Sequence, residues 1–304
     1  MSRRGWALFV AMCLIWGIPY LLIKVAVSDL SPVTLVFFRT AIGAVLLVPL
    51  AAGRGNLKPL IPHWRAILIY TAVEVALPWF LLADAERRLS SSLTGLLLAA
   101  CPFVGVLLGW MTGAKERFDT RRLFGLVVGF IGVAALVGLN VSARDFGAAG
   151  EVGLVAVCYA AGPLIISRRL SNVPSLGVVA VSIALPAVVY APLGLTHLPA
   201  AVPSVPVLAS VGLLGVLCTA IAFLLFFALI AEVGPVRATF ITYVNPAVAL
   251  ALGVVLLGEP FTVGAVVGFG LILLGLFLAT RRGPSAASVR VESHADEPVA
   301  DASG

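Results

Sequence analysis

The chain has 304 residues, of which 61% are hydrophobic and 11% charged, with a mean hydropathy of +1.12 and a formal net charge of +6. Globular chains run roughly 45–50% apolar and about 25% charged, and a soluble domain of this size cannot hide so much apolar surface because its outside must face water. The composition excludes an ordinary soluble enzyme, a disordered chain and a nucleic-acid binder, and it defines an all-α integral membrane protein.

A spanning helix needs ~20 apolar residues. In chain order, uncharged runs bounded by turn residues predict helices at 6–27, 32–50, 66–83, 90–111, 123–139, 152–167, 175–195, 206–230, 236–257 and 262–280. Arg3-Arg4 ahead of an apolar run has the look of a signal peptide. The run is long, carries Trp6 and Trp16 and has no A-x-A-like cleavage site, so it is read as the first span. Leu170 to Ala231 holds no Asp, Glu, Lys or Arg and is too long for one span; Thr196–Pro206, with His197 and three prolines, divides it. Short alternating strands of a β-barrel are absent.

Fifteen Lys and Arg fall on the side of the N-terminus, and three, Arg87, Arg88 and Arg144, fall on the other. Positive charge marks the cytoplasmic side, so both termini of this multi-pass cell-membrane protein are predicted there. Residues 283–304, rich in Ser, Ala, Pro and acid, are predicted to be a disordered tail. Cys13, Cys101, Cys158 and Cys218 each lie in an apolar run, with no CxxC spacing or disulfide framework.

An internal repeat is visible. Cys13, Gly17 and Lys24 match Cys158, Gly162 and Arg169 at a shift of 145; Pro102 matches Pro246 at 144; Glu116, Gly125 and Gly132 match Glu259, Gly268 and Gly275 at 143. The expected units are 1–140 and 150–280, five helices each. Five is odd, so the second unit enters the membrane from the opposite side. Two inverted five-helix repeats give two states of similar energy with a site between them at mid-membrane. Pro102 and Pro246, at equivalent places, are expected to be paired bending points.

Ten helices, the inverted repeat and the Pro…Glu…Gly…Gly pattern closing each half, with Ile15-Trp16-Gly17, Lys24 and Arg39 near the start, resemble the drug/metabolite transporter superfamily in its EamA-type branch. The resemblance covers about residues 6–280. It implies a transporter of small metabolites, often outward, and it implies no particular substrate. Glu116 departs from the pattern, following Pro102 by one residue more than Glu259 follows Pro246, and no role is carried over to it.

Lys24, Arg39 and Glu74 lie inside predicted spans. A charge at a helix centre costs about 2.5–3.5 kcal/mol on insertion scales, so such residues face an interior or a cavity. Arg39 lies ~12 Å deep from one face. Glu74 lies roughly 18 Å from that same face of a ~30 Å core. The ~6 Å offset is within reach of an Arg side chain. Arg39 suits a substrate carboxylate or phosphate, and Glu74 an amine or a coupling proton. The alternative is a fixed Arg39–Glu74 ion pair that only holds helices. Lys24, near its helix end, is expected to snorkel to the headgroups. Trp16 and Tyr20 share one stripe with Lys24, and Tyr243 and Asn245 lie at mid-depth in the ninth helix, so all four join the expected substrate site; the alternatives are plain packing for the aromatic stripe and an interhelical hydrogen bond for Asn245. Trp79 and Tyr159 are weaker candidates of the same kind.

The function expected is a secondary transporter exporting a small polar metabolite such as an amino acid by alternating access. A flippase for a phosphorylated lipid carrier is the alternative, since Arg39 would serve it too. An intramembrane enzyme is less consistent: His63, His197 and His294 lie in loops or tail, and no catalytic set is present. No Walker A sequence, metal pattern or cofactor pattern occurs. The expected partners are a small-molecule substrate, the bilayer, and a coupling ion or proton. The pairs Gly105/Gly109, Gly125/Gly129 and Gly264/Gly268 permit close contact within the chain or in a homodimer.

Overall fold

The computed structural model describes residues 1–112 and 120–280; Glu116 and the tail lie outside the described residues. The described regular structure is helical, in ten apolar segments. These are α1 (Arg3–Ala26), α2 (Pro32–Gly53), α3 (Lys58–Ala85), α4 (Ser91–Met111), α5 (Thr120–Asn140), α6 (Ala143–Arg169), α7 (Ser175–Thr196), α8 (Val205–Val233), α9 (Ile241–Leu257) and α10 (Val263–Thr280). Helix starts follow ordinary capping chemistry. Ser31 accepts the Thr34 amide ahead of Pro32 at the start of α2, and Ser90 accepts the Leu93 amide at the start of α4, both at 3.2 Å. α9 is the short one. Its 17 residues rise about 25 Å, and it is preceded by a separate turn, Pro235–Ala238, that the sequence reading had merged with it.

Alternate crossings place Arg3, Arg4, Arg54, Lys58, Arg65, Arg168, Arg169 and Arg237 at one end of the bundle, here the basic end. Arg87, Arg88 and Arg144 lie at the far end. The packing repeats when five is added to each helix number. α2 lies on α7, α4 on α9 and α5 on α10. The contact of α1 with α8 recurs as that of α6 with α3. The contact of α1 with α9 recurs as that of α6 with α4, and that of α2 with α8 as α7 with α3. Two inverted five-helix units related by a pseudo-two-fold axis account for this exchange.

The repeated glycines explain one seam. A Cβ on Gly132 would come within 2.7 Å of the Gly268 carbonyl, one on Gly268 within 2.9 Å of the Gly132 carbonyl, and one on Gly275 within 2.7 Å of Gly129 Cα. α5 and α10 therefore meet backbone to backbone, which only glycine permits. Gly125/Gly129 and Gly264/Gly268 are thus used within the chain, while Gly109 faces open space.

The symmetry is incomplete in an informative way. α1 breaks between Gly17 and Pro19, and α4 breaks at Ala99–Ala100 just before Pro102. Their counterparts run unbroken through Pro163 and Pro246. The helix is thus interrupted beside Pro102 and continuous past Pro246. In α9, the Asn245 side chain, with its amide nitrogen set to face two carbonyls, donates to Ile241 O one turn back at 2.9 Å. The far half of α1 also packs on α4, and among the described residues no comparable contact joins α6 to α9 at the basic end. The bundle is closed at the far end.

Candidate functional site

Two helices widen at equivalent places. α3 contains a π-helical turn at Ala72–Ala76 and α8 another at Val216–Ile221, with start positions 144 residues apart, inside the repeat shift. A π-turn displaces the helix face and leaves backbone carbonyls to find other donors, and such turns concentrate at functional sites. In α3 the cause is local: Pro78 has no N–H to offer the preceding turn. Tyr190 of α7 donates to the Ala76 carbonyl at 3.1 Å. In α8, the Thr219 hydroxyl reaches back five residues to the Leu214 carbonyl at 2.7 Å.

Arg39 of α2 is drawn to the α8 turn. Its Nε donates to Thr219 Oγ1 at 3.2 Å, and its guanidinium lies 3.5 Å over the Trp79 ring of α3. Arg39 is 6% exposed. Among the described residues no carboxylate lies within ion-pair distance of it, and neither terminal nitrogen of its fork has a hydrogen-bond acceptor. Glu74 sits in the α3 turn. Its Oε2 is buried without a partner and lies against Gly162 of α6, where any Cβ would collide with it. Tyr159 of α6 is the neighbour that links the two: it is within electrostatic range of Glu74, Arg39, Tyr20 and Cys101. The hydroxyls of Tyr20 and Tyr159, both half-buried, have no hydrogen-bond partner among the described residues.

The structure thus brings Arg39, Glu74 and Tyr20 into one neighbourhood, with Tyr159, Cys101, Trp79 and Thr219 beside them. It does not join Arg39 to Glu74. Trp16 lies to one side in an aromatic group of α8, with its ring 4.7 Å from Phe226 and 5.8 Å from Phe223. Tyr243 stacks obliquely on Phe240 at 5.7 Å. Asn245 donates to Cys13 O of α1 at 3.1 Å, a bond between helices. Two cavities occur elsewhere, one of about 210 Å³ between Ser92, Asn140 and Thr262, and an apolar one of about 230 Å³ beside Phe103 and Phe130. The site is marked by its unpartnered polar groups.

Polar ties at the far end cover this site. Lys24 does not snorkel: its ammonium donates to the Glu86 and Leu89 carbonyls at 2.6 and 2.7 Å, fixing α1 to the turn between α3 and α4. Glu259, between α9 and α10, accepts from the Ser91 and Ser92 amides at 2.7 and 2.9 Å and from both hydroxyls, capping α4. Burial would lift the Glu259 carboxyl, but the donors of Ser92 and Ser91 hold it below its usual range. Glu86 is wholly buried. Sequence reading missed it because Ala85-Glu86-Arg87-Arg88 looks like a solvated turn.

Ten helices in two inverted halves, with a guanidinium that has no carboxylate and a carboxyl that has no donor between them, are the arrangement of a membrane transporter. The chain belongs to the EamA-like transporter family, which matches residues 3–138 and again 152–281. It is 28% identical to the uncharacterized inner membrane transporter YedA of Escherichia coli, over 90% of this chain and 89% of that protein. It is 24% identical to the uncharacterized transporter YvbV of Bacillus subtilis, over 92% and 93%, and 23% identical to a probable amino-acid metabolite efflux pump of Salmonella typhimurium, over 91% and 95%. One solved crystal structure shares the fold with a TM-score of 0.65 at 20% identity, covering 96% of this chain and all of that one.

Proposed function

We propose that the protein is a secondary transporter of the plasma membrane that exports a small zwitterion, an amino acid or a close relative, by alternating access between its two halves, 1–140 and 150–280. One observation carries the reading. Arg39 and Glu74 share the neighbourhood of Tyr159 and do not neutralise each other. A buried guanidinium needs a counter-ion, and a buried carboxyl without donors stays the neutral acid until a cation reaches it and it gives up its proton. A ligand with a carboxylate for the Arg39 fork and an ammonium for Glu74 compensates both at once. Tyr20 and Tyr159 offer hydroxyls to the same ligand, whereas Trp16, Tyr243 and Asn245 are engaged elsewhere in this state. The name of the Salmonella relative points to the same substrate class.

The basic end is the cytoplasmic end on the charge rule. The closed far end then faces outward, and this state takes its substrate from the cytoplasm. Untargeted profiling of the medium of cells with and without the overexpressed protein tests the function. Amino acids or similar zwitterions accumulate with the wild type and not with Arg39→Leu or Glu74→Gln. Accumulation of lipid-linked phosphates in the outer leaflet instead would replace this reading with lipid translocation.

A further inference from the structure

Glu86 is the one wholly buried carboxyl group in the far-end closure, 0% exposed, and neither of its oxygens has a hydrogen-bond partner. Four ionisable groups face it: Lys24 and Tyr20 from α1, Arg39 from α2 and Glu259 from the α9–α10 turn. None is a histidine. Lys24 acts on it through space, but makes no ion pair with it, and its ammonium is committed to the main-chain carbonyls of Glu86 and Leu89. Glu259 is committed to Ser91 and Ser92. A carboxylate shut off from water without donors is strongly unfavourable, and such a group takes a proton instead.

We propose that Glu86 is a proton-binding site whose occupancy is set by the far-end closure. While Lys24 clamps α1 to the α3–α4 turn, Glu86 is a carboxylic acid. When the clamp opens, water reaches the group, its O–H bond breaks and the proton passes to the far-side solution. The carboxylate that remains is neutralised by the Lys24 ammonium, which has left its carbonyls. Each closure takes one proton back from that side, so acid on the far side favours closing and alkali favours opening. The clamp does not involve the substrate, so this inference stands or falls separately from the zwitterion reading.

Hydrogen–deuterium exchange on the purified full-length protein in detergent, without substrate, tests it. Peptides covering 84–93 and 257–263 are followed from about pH 5.5 to 8.5 and corrected for intrinsic exchange. One linked proton moves the opening equilibrium about tenfold per pH unit across the titration range, so protection in the wild type falls as pH rises. Glu86→Gln cannot release a proton, and its two segments stay protected at every pH. Glu86→Met gives the same flat profile and serves where the glutamine variant does not fold. A wild-type profile that is itself flat, or a Glu86 variant that keeps the wild-type pH dependence, overturns the proposal.

Discussion

Arg39 and Glu74 show how much a single charged residue in an apolar chain reveals. The cost of insertion singled out both from the sequence, and depth arithmetic set them ~6 Å apart, within reach of an Arg side chain. Whether they touch depends on the rotation of α2 and α3 about their axes, and an 8-residue count does not carry it. In the structure Arg39 turns to Thr219 and Trp79, so a fixed pair is not what holds these helices. Arg39→Leu and Glu74→Gln should each cut export at least about tenfold, a change of ~1.4 kcal/mol or more in transition-state stabilisation, with melting temperatures near the wild type. The double apolar variant should not restore export, whereas a structural pair would be rescued by it. Gly162→Ala is a finer probe. Its methyl group meets the end of the flexible Glu74 side chain, so it should displace the carboxylate and slow export while leaving thermal stability almost unchanged. Lys24 and Glu86 were misjudged together: the cost argument flagged the lysine, but its partners are the carbonyls of a turn sixty residues away, which no local pattern encodes.

At the scale of elements, the ten spans were legible because continuous apolar runs need no tertiary knowledge. The π-turn of α3 has only Pro78 as its local signal, and a proline in a span does not by itself specify a π-turn; the turn of α8 has no proline beside it and so no such signal at all. The repeated Glu and Gly motif was visible as a pattern, and the structure supplies its cause at Glu259 and in the α5–α10 seam. Gly132→Leu should push these helices apart and lower the melting temperature by several degrees, a loss of ~1–3 kcal/mol from overpacking, whereas Gly109→Leu, in open space, should leave it unchanged. Glu259 predicts a pH dependence with a definite sign. Its folded-state carboxyl titrates below the unfolded value of about 4.3. The stability it adds is therefore present above that pH and is lost as the pH falls through the folded value. Thermal unfolding in detergent at graded pH should show this acid loss in the wild type. Glu259→Gln should show a lower melting temperature at neutral pH and a smaller acid loss.

At the scale of the molecule, inversion followed from an odd helix count plus a constant repeat shift, and the exchange of helix contacts between halves carries the same relation. What the sequence could not contain is the asymmetry. Equivalent prolines coincide with breaks in α1 and α4, whereas α6 and α9 run unbroken past theirs. The sidedness is a separate matter: reporter fusions at residue 304 and in the 140–150 loop should read cytoplasmic and external; exchanged readings would reverse the orientation, and the same reading from both would void the topology. The central claim is that Arg39 and Glu74 together recognise a zwitterion. Counterflow into proteoliposomes measures it directly, with a labelled mixture of neutral L-amino acids set against analogues lacking the carboxylate or the amine. The account predicts accumulation of the zwitterions by the wild type, and loss of it with either analogue, with Arg39→Leu and with Glu74→Gln. Undiminished accumulation by Arg39→Leu, or equal transport of the singly charged analogues, would contradict it.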